Sequence, residues 1–324
     1  MQPSQGNSKQ TLLFAPFVIN TWEGKSNGGF CYNITSFNEK NNMIITCPSH
    51  NSIQFYDATT LSHFEEMETE PLDSSVRDMT FCPETETYLF RTLDGNIYAY
   101  DLPNKTLKNV QKNVNPFVPK VVFIHSGTYA FSVDSNLLCI GNLRNENCVT
   151  FTSGKNRRFI CSLESLTKRK LLLVGLDCGS VILYRTDRLP KLPVLGLIRG
   201  CEKSAALEVK SLIINGKEYI LAAGCDNKIR IWHIIKGRMR LLKAIQMKET
   251  VSSMVYLEDY KMLAMAHNMN YLRFLQLPCG KLEARVDVEL ESCTNVFLLK
   301  GKNALEVASM AGDIINIVQL HPYW

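Results

Sequence analysis

A group of three short apolar or alternating segments recurs along the whole chain, and no other feature limits the possible folds as strongly. The third segment of each group ends near residues 57, 101, 141, 184, 232, 275 and 318, so the steps are 44, 40, 43, 48, 43 and 43 residues. Each segment is four to eight residues long and is bounded by Gly, Asn, Asp or Pro. That spacing of breaks reads as strands and turns rather than as amphipathic helices.

The unit beginning near Leu207 is the clearest. Val209 to Asn215 reads as a first strand, followed by a turn containing Gly216. Tyr219 to Gly224 reads as a second strand of small apolar residues, and Cys225-Asp226-Asn227-Lys228 as a tight turn. Ile229-Arg230-Ile231-Trp232 is an alternating third strand, and Gly237 permits a turn into a fourth, Met239 to Ile245. The stretch from Ala222 to His233, with its small-residue strand, Asp turn and tryptophan, resembles a repeat of the WD40 family. The resemblance covers residues 11–324 and implies an all-β, seven-bladed WD40-type β-propeller. It is uneven: only the fifth unit keeps the terminal tryptophan, units one and two end in Tyr56-Asp57 and Tyr100-Asp101, and the family's Gly-His pair is missing throughout.

On this reading residues 1–10 form a flexible tail and 11–324 a single domain, with blades at about 30–70, 76–115, 118–153, 158–200, 207–247, 251–290 and 293–324. The first blade is expected to open with a strand over Phe30–Phe37. The last blade has too few residues after Val318 for a fourth strand, whereas Thr11–Ile19 precedes the first blade without a blade of its own. We therefore expect the N-terminal segment to complete the last blade, because a ring with an unpaired strand would leave backbone donors and acceptors exposed. Pro16 is compatible with an outermost strand.

The remaining composition narrows the function. The N-terminus lacks a basic segment followed by an apolar core, and no run of about 18 apolar residues suits a transmembrane segment. The eleven cysteines are odd in number and lack C-x-x-C spacing, and Cys31, Cys47, Cys139, Cys161 and Cys293 lie within apolar runs. These features lead us to expect free thiols and an intracellular, cytoplasmic protein. No phosphate-binding loop, nucleophile elbow or H-E-x-x-H motif is present, and the six histidines fall in different units. We expect neither an enzyme nor a cofactor or metal site. His233 reads as part of a surface turn and His267 as structural.

Charge is distributed unevenly. Residues 151–250 hold 20 Lys and Arg against 8 Asp and Glu, a net +12, and the rest of the chain holds 16 against 23, a net −7. The dense runs supply candidate partner-binding residues: Lys155, Arg157 and Arg158; Lys168, Arg169 and Lys170; and Lys236, Arg238, Arg240 and Lys243. Such a sector suits other proteins bearing acidic segments, with nucleic acid or anionic lipid as the alternative. Leu197-Ile198-Arg199-Gly200, just after the fourth blade, resembles the Phe-Arg-Arg-Gly box of phosphoinositide-binding propellers, but Ile198 stands where the first arginine belongs. Asp94 with Gly95, Asp177 and Asp226 are expected to cap turns through their carboxylates, and Trp232 to pack between blades. The sequence thus favours a scaffold within a larger assembly over a catalyst.

Overall fold

The computed structural model describes residues 14–23, 35–38, 41–49, 52–57, 63–68, 74, 76–112, 120–125, 127–134, 136–152, 158–166, 169–199, 205–235, 238–267, 271–287, 295–300, 305–311 and 314–322. The anticipated tail at 1–10, and Lys155, Arg157, Lys168 and Lys236, lie outside these residues. Every regular element longer than one turn in the described residues is a β-strand, and they form seven four-stranded antiparallel sheets.

The first strand, β1 (Phe14–Glu23), does not belong to the first sheet. That sheet is β2 (Thr35–Asn38), β3 (Met43–Ser49), β4 (Ser52–Asp57) and β5 (His63–Glu68). The second is β6 (Val76–Cys82), β7 (Thr87–Thr92), β8 (Ile97–Asp101) and β9 (Thr106–Gln111). The third is β10 (Val121–His125), β11 (Thr128–Asp134), β12 (Leu137–Asn142) and β13 (Asn145–Thr152). The fourth is β14 (Ile160–Leu166), β15 (Leu171–Leu176), β16 (Val181–Arg185) and β17 (Val194–Ile198). The fifth is β18 (Ala206–Ile214), β19 (Lys217–Gly224), β20 (Lys228–Ile235) and β21 (Arg238–Gln246). The sixth is β22 (Val251–Leu257), β23 (Met262–His267), β24 (Tyr271–Gln276) and β25 (Lys281–Asp287). The last contains β26 (Asn295–Lys300), β27 (Leu305–Ala311) and β28 (Ile314–Pro322), and β1 supplies its fourth position by pairing antiparallel with β28.

Within each sheet the chain zigzags outward, so the first strand of each is innermost. Those innermost strands touch in chain order from β2 through β6, β10, β14, β18, β22 and β26, and β26 returns to β2. The sheets are thus arranged around an axis. One face of the ring, here the lower, carries the turns joining first to second and third to fourth strands. The upper face carries the second-to-third turns and the passages to the next sheet.

Where side chains are described, the sheets are buried on both faces. In β7 all six residues are buried: Tyr88 and Phe90 join a cluster with Ile45 and Phe55 of the preceding sheet, while Leu89 joins Phe123 and Phe131 of the following one. The same alternation places Trp232 toward the fourth sheet, against Leu173, Val181 and Leu183, and Ile229 and Ile231 toward the sixth, with Leu263 and Met265. This two-sided burial explains why several strands read as unbroken apolar runs instead of alternating ones.

Three boundaries differ from those read in the sequence. The opening strand of the first sheet is described only as Thr35–Asn38, with 24–34 outside the described residues. The N-terminal strand runs on to Glu23, past the expected Ile19. Leu197 and Ile198 belong to the outermost strand of the fourth sheet, inside the expected 158–200 blade and not just after it. The aromatic and β-branched content of a segment marks its strand but not the turn chemistry that stops it.

Trp232 is buried between two sheets, so its removal leaves a cavity neither sheet can close by itself. Trp232→Ala is expected to lower the unfolding free energy by about 3–5 kcal/mol, read from urea denaturation.

Candidate functional site

The axial channel is a natural first place to seek chemistry, and charged groups do meet there. Lys120, just before β10, pairs with Glu208 of β18. Lys210 of β18 lies 3.1 Å from the Glu164 carboxylate of β14 and 3.4 Å from that of Glu208. These side chains line a cavity of about 420 Å³ together with Ser211, Ser253 and Tyr256. Burial opposes ionisation of Glu208, but Lys120 and Lys210 overcome it and hold the carboxyl below its ordinary range. Burial likewise works against the Lys210 ammonium, which Glu164 and Glu208 keep charged above the usual lysine range. The charges are therefore matched, with Glu208 and Lys210 each held in the charged form by its neighbours.

Asp78 of β6 is the exception. Burial pushes its carboxyl up to about 6, although Lys120, the Val121 amide and Arg91 pull the other way. Its Oδ2 accepts a hydrogen bond from Val121 N at 2.7 Å, which ties the second sheet to the first residue of β10 in the third. A related tie recurs between later sheets. Ser162 Oγ donates to Ala206 O at 2.7 Å, and Ser253 Oγ donates to Val296 O at 3.5 Å. Asp78, Ser162 and Ser253 each directly follow a register shift in their innermost strand. A bulge re-aims the next side chain, here toward the neighbouring sheet. Gly175 belongs to this device: a Cβ there would stand 2.2 Å from Ser162 Oγ and 2.9 Å from Ala206 O, so only glycine leaves the serine room to cross.

The described members of the basic runs do not form one patch. Arg158 is exposed at the upper face, before β14. Arg169 and Lys170 lie in the lower-face turn between β14 and β15, where Arg169 pairs with Glu218 of the fifth sheet. Arg238 begins β21, and Arg240 and Lys243 continue along that outermost strand with exposed side chains. Lys243 donates to Cys279 O in the next sheet. Runs close in sequence are thus separated by the height of a sheet, because successive turns fall on opposite faces.

The turn residues also divide. Asp94 accepts hydrogen bonds from Thr92 Oγ1 and from the Asn96 amide and side chain, while Gly95 takes φ 85°, which closes the turn. The Asp226 carboxylate grips the buried Arg230 guanidinium with both oxygens, at 3.1 and 2.5 Å. The pair is bidentate and ionic, so it is stronger than a neutral hydrogen bond. Asp177 donates its amide to Phe159 O. His233 lies within β20 and stacks on Tyr219 at 5.0 Å instead of occupying a turn. His267 is fully buried, and burial together with Arg273 pulls its pKa down.

A feature absent from the sequence reading lies on the rim. Val194, Leu195 and Leu197 of β17 are 48–59% exposed, and Leu241 and Leu242 of β21 and Ile235 of β20 are 45–48% exposed. These two neighbouring outer strands meet where Met239 lies over Gly196. In contrast, the exposed positions of β9 are Thr106 and Lys108. The apolar rim therefore coincides with the basic sector.

No family model matches the chain, and no curated protein matches it. Solved structures do. The β-propeller domain of Cps50 (Swd1) from Myceliophteria thermophila superposes with a TM-score of 0.75, covering 95% of this chain and 100% of that one at 10% identity. The fold is a β-propeller. Raptor from Chaetomium thermophilum superposes with a TM-score of 0.72 at 16% identity, covering 93% of this chain but 30% of its own. Among the described residues of this propeller, no cluster of three or more His, Cys, Asp or Glu could hold a metal ion. No described helix is long and apolar enough to cross a membrane, and the eight described cysteines are free thiols.

Because the Asp78 pKa is raised on folding, the folded protein keeps a proton that the unfolded chain releases between about pH 4 and 6. Stability from this group is full below that window and is lost as the pH rises through it. Asp78→Asn, which retains an acceptor for Val121 N, removes the titration. Its thermal midpoint is expected to gain on the wild-type protein between pH 4 and 7, as followed by circular dichroism.

Proposed function

We propose that this chain is a seven-bladed propeller of the WD40 type, and that it serves as a non-catalytic scaffold for protein–protein interaction within a larger intracellular assembly. One observation carries the reading: the basic excess of residues 151–250 falls on the same two sheets whose outermost strands leave aliphatic side chains in solvent. A monomeric surface rarely exposes a contiguous apolar patch unless something covers it. The channel, the usual place for chemistry in a concave fold, is occupied by ion pairs matched to one another.

The partners that fit are proteins with acidic segments. They would meet Arg240 on the rim and Lys170 below it, with Lys155, Arg157, Lys168 and Lys236 adding charge from the same stretch of sequence. Nucleic acid is less well matched, since the exposed apolar side chains are aliphatic and offer no stacking platform for bases. The phosphoinositide reading loses its anchor as well: Ile198 is buried, so Arg199 is the lone cation of that motif at the surface.

The test is charge reversal away from the core. Lys170→Glu with Arg240→Glu should reduce retention of co-purifying proteins several-fold by quantitative mass spectrometry. The unfolding free energy should stay within about 0.5 kcal/mol of wild type, since neither side chain is buried. Equal retention by the variant would remove the basic sector as a contact surface.

A further inference from the structure

Resting on the scaffold reading, we propose that the rim formed by β17 and β21 is the docking site for an amphipathic helix of a partner protein, apolar along one stripe and acidic on both sides of it.

The occupant is argued first from charge. No acidic residue occurs in 188–199 or in 238–248, the stretches that contain β17 and β21. Arg188 and Lys191 are exposed at the lower end of β17, Arg199 at its upper end, and Arg240 on β21. Within these stretches the aliphatic side chains are accompanied by cations alone; the carboxylates that bound them in sequence, Asp187 and Glu249, are paired with Arg185 and Arg273. A segment with Asp or Glu flanking its apolar stripe gains attraction on both borders, and one flanked by Lys or Arg is repelled.

The backbone decides between a strand and a helix. As the last strands of their sheets, β17 and β21 present unpaired edges, which usually invite an added strand. Both are interrupted. The register jumps between Val194 and Gly196, leaving Leu195 without a partner in β16, and between Leu241 and Lys243, leaving Leu242 without one in β20. A bulge breaks the row of donors and acceptors and twists the edge away. The extra residue in each strand is a leucine, 48% exposed at Leu195 and 47% at Leu242. The edges thus reject a strand while offering protruding side chains, which suits the ridged surface of a helix with apolar residues three and four apart. A lipid surface is the weaker occupant, because the patch has no Trp or Tyr of the kind that settles at a bilayer interface.

The full chain should be titrated by fluorescence anisotropy with three 18-residue peptides. One places Leu at helical spacing with Glu elsewhere, the second replaces Glu by Lys, and the third alternates Val and Glu as a strand former. The Leu/Glu helix is expected to bind, more weakly as salt rises. Leu195→Ser with Leu242→Ser, and separately Arg188→Glu with Arg240→Glu, should each raise its Kd about tenfold or more. All four positions are exposed, so melting temperatures should not move. Binding of the Lys peptide or the strand former as tightly as the Leu/Glu helix overturns the inference. So does the absence of binding by any peptide; if the charge-reversed protein nonetheless loses its co-purifying partners, the scaffold reading survives without the helix. Association with phosphatidylserine vesicles that Leu195→Ser with Leu242→Ser abolishes, in the absence of peptide binding, overturns both.

Discussion

Among the described residues the sheets carry apolar side chains on both faces, and that constraint governs the rest of the architecture. A four-stranded sheet with Tyr88 and Phe90 on one side and Leu89 on the other cannot end a stack, because its outer face would remain wet. A linear pile of such units leaves two uncovered faces, whereas a ring leaves none. Closure follows from burial, and the pairing of β1 with β28 follows from closure, since the two chain ends must share the last sheet. The hydrophobic effect is non-directional, so it favours closure without specifying how neighbouring sheets register.

Register between sheets is supplied by polar side chains near the axis. Asp78, Ser162 and Ser253 each stand immediately after a bulge and reach the opening residues of the next innermost strand. The ion pairs of Lys120, Glu164, Glu208 and Lys210 add ties among the third, fourth and fifth sheets. Charges so placed are retained by mutual compensation, not because they stabilise more than apolar packing would. The axis of the propeller thus acts as a fastening.

On that outside, two otherwise separate properties converge. The cationic excess is a matter of composition, and the exposed leucines are a matter of bulge position. They fall on the same pair of outer strands, which differ from the polar β9. Exposed aliphatic groups beside cations cost solubility unless they are covered, which is the ground for the partner proposed there.

The sequence by itself determined the strand-and-turn character, the recurrence near 43 residues, the inter-sheet place of Trp232 and the basic bias of the middle third. All of these are local: they depend on which residues alternate, which break a strand and how far apart the breaks fall. Other features required the folded ring. Lys120 and Glu208 are 88 residues apart and meet because the ring brings their strands to one axis. Arg158 and Arg169 are close in the chain yet lie on opposite faces, because a strand separates them. Asp226, read from the sequence as a turn residue, also binds Arg230, a pairing that depends on the strand carrying the arginine back over the turn. The rim leucines were invisible for the same reason: whether an apolar residue is core or surface depends on where a bulge rotates the strand, and a bulge carries no pattern of its own in the sequence.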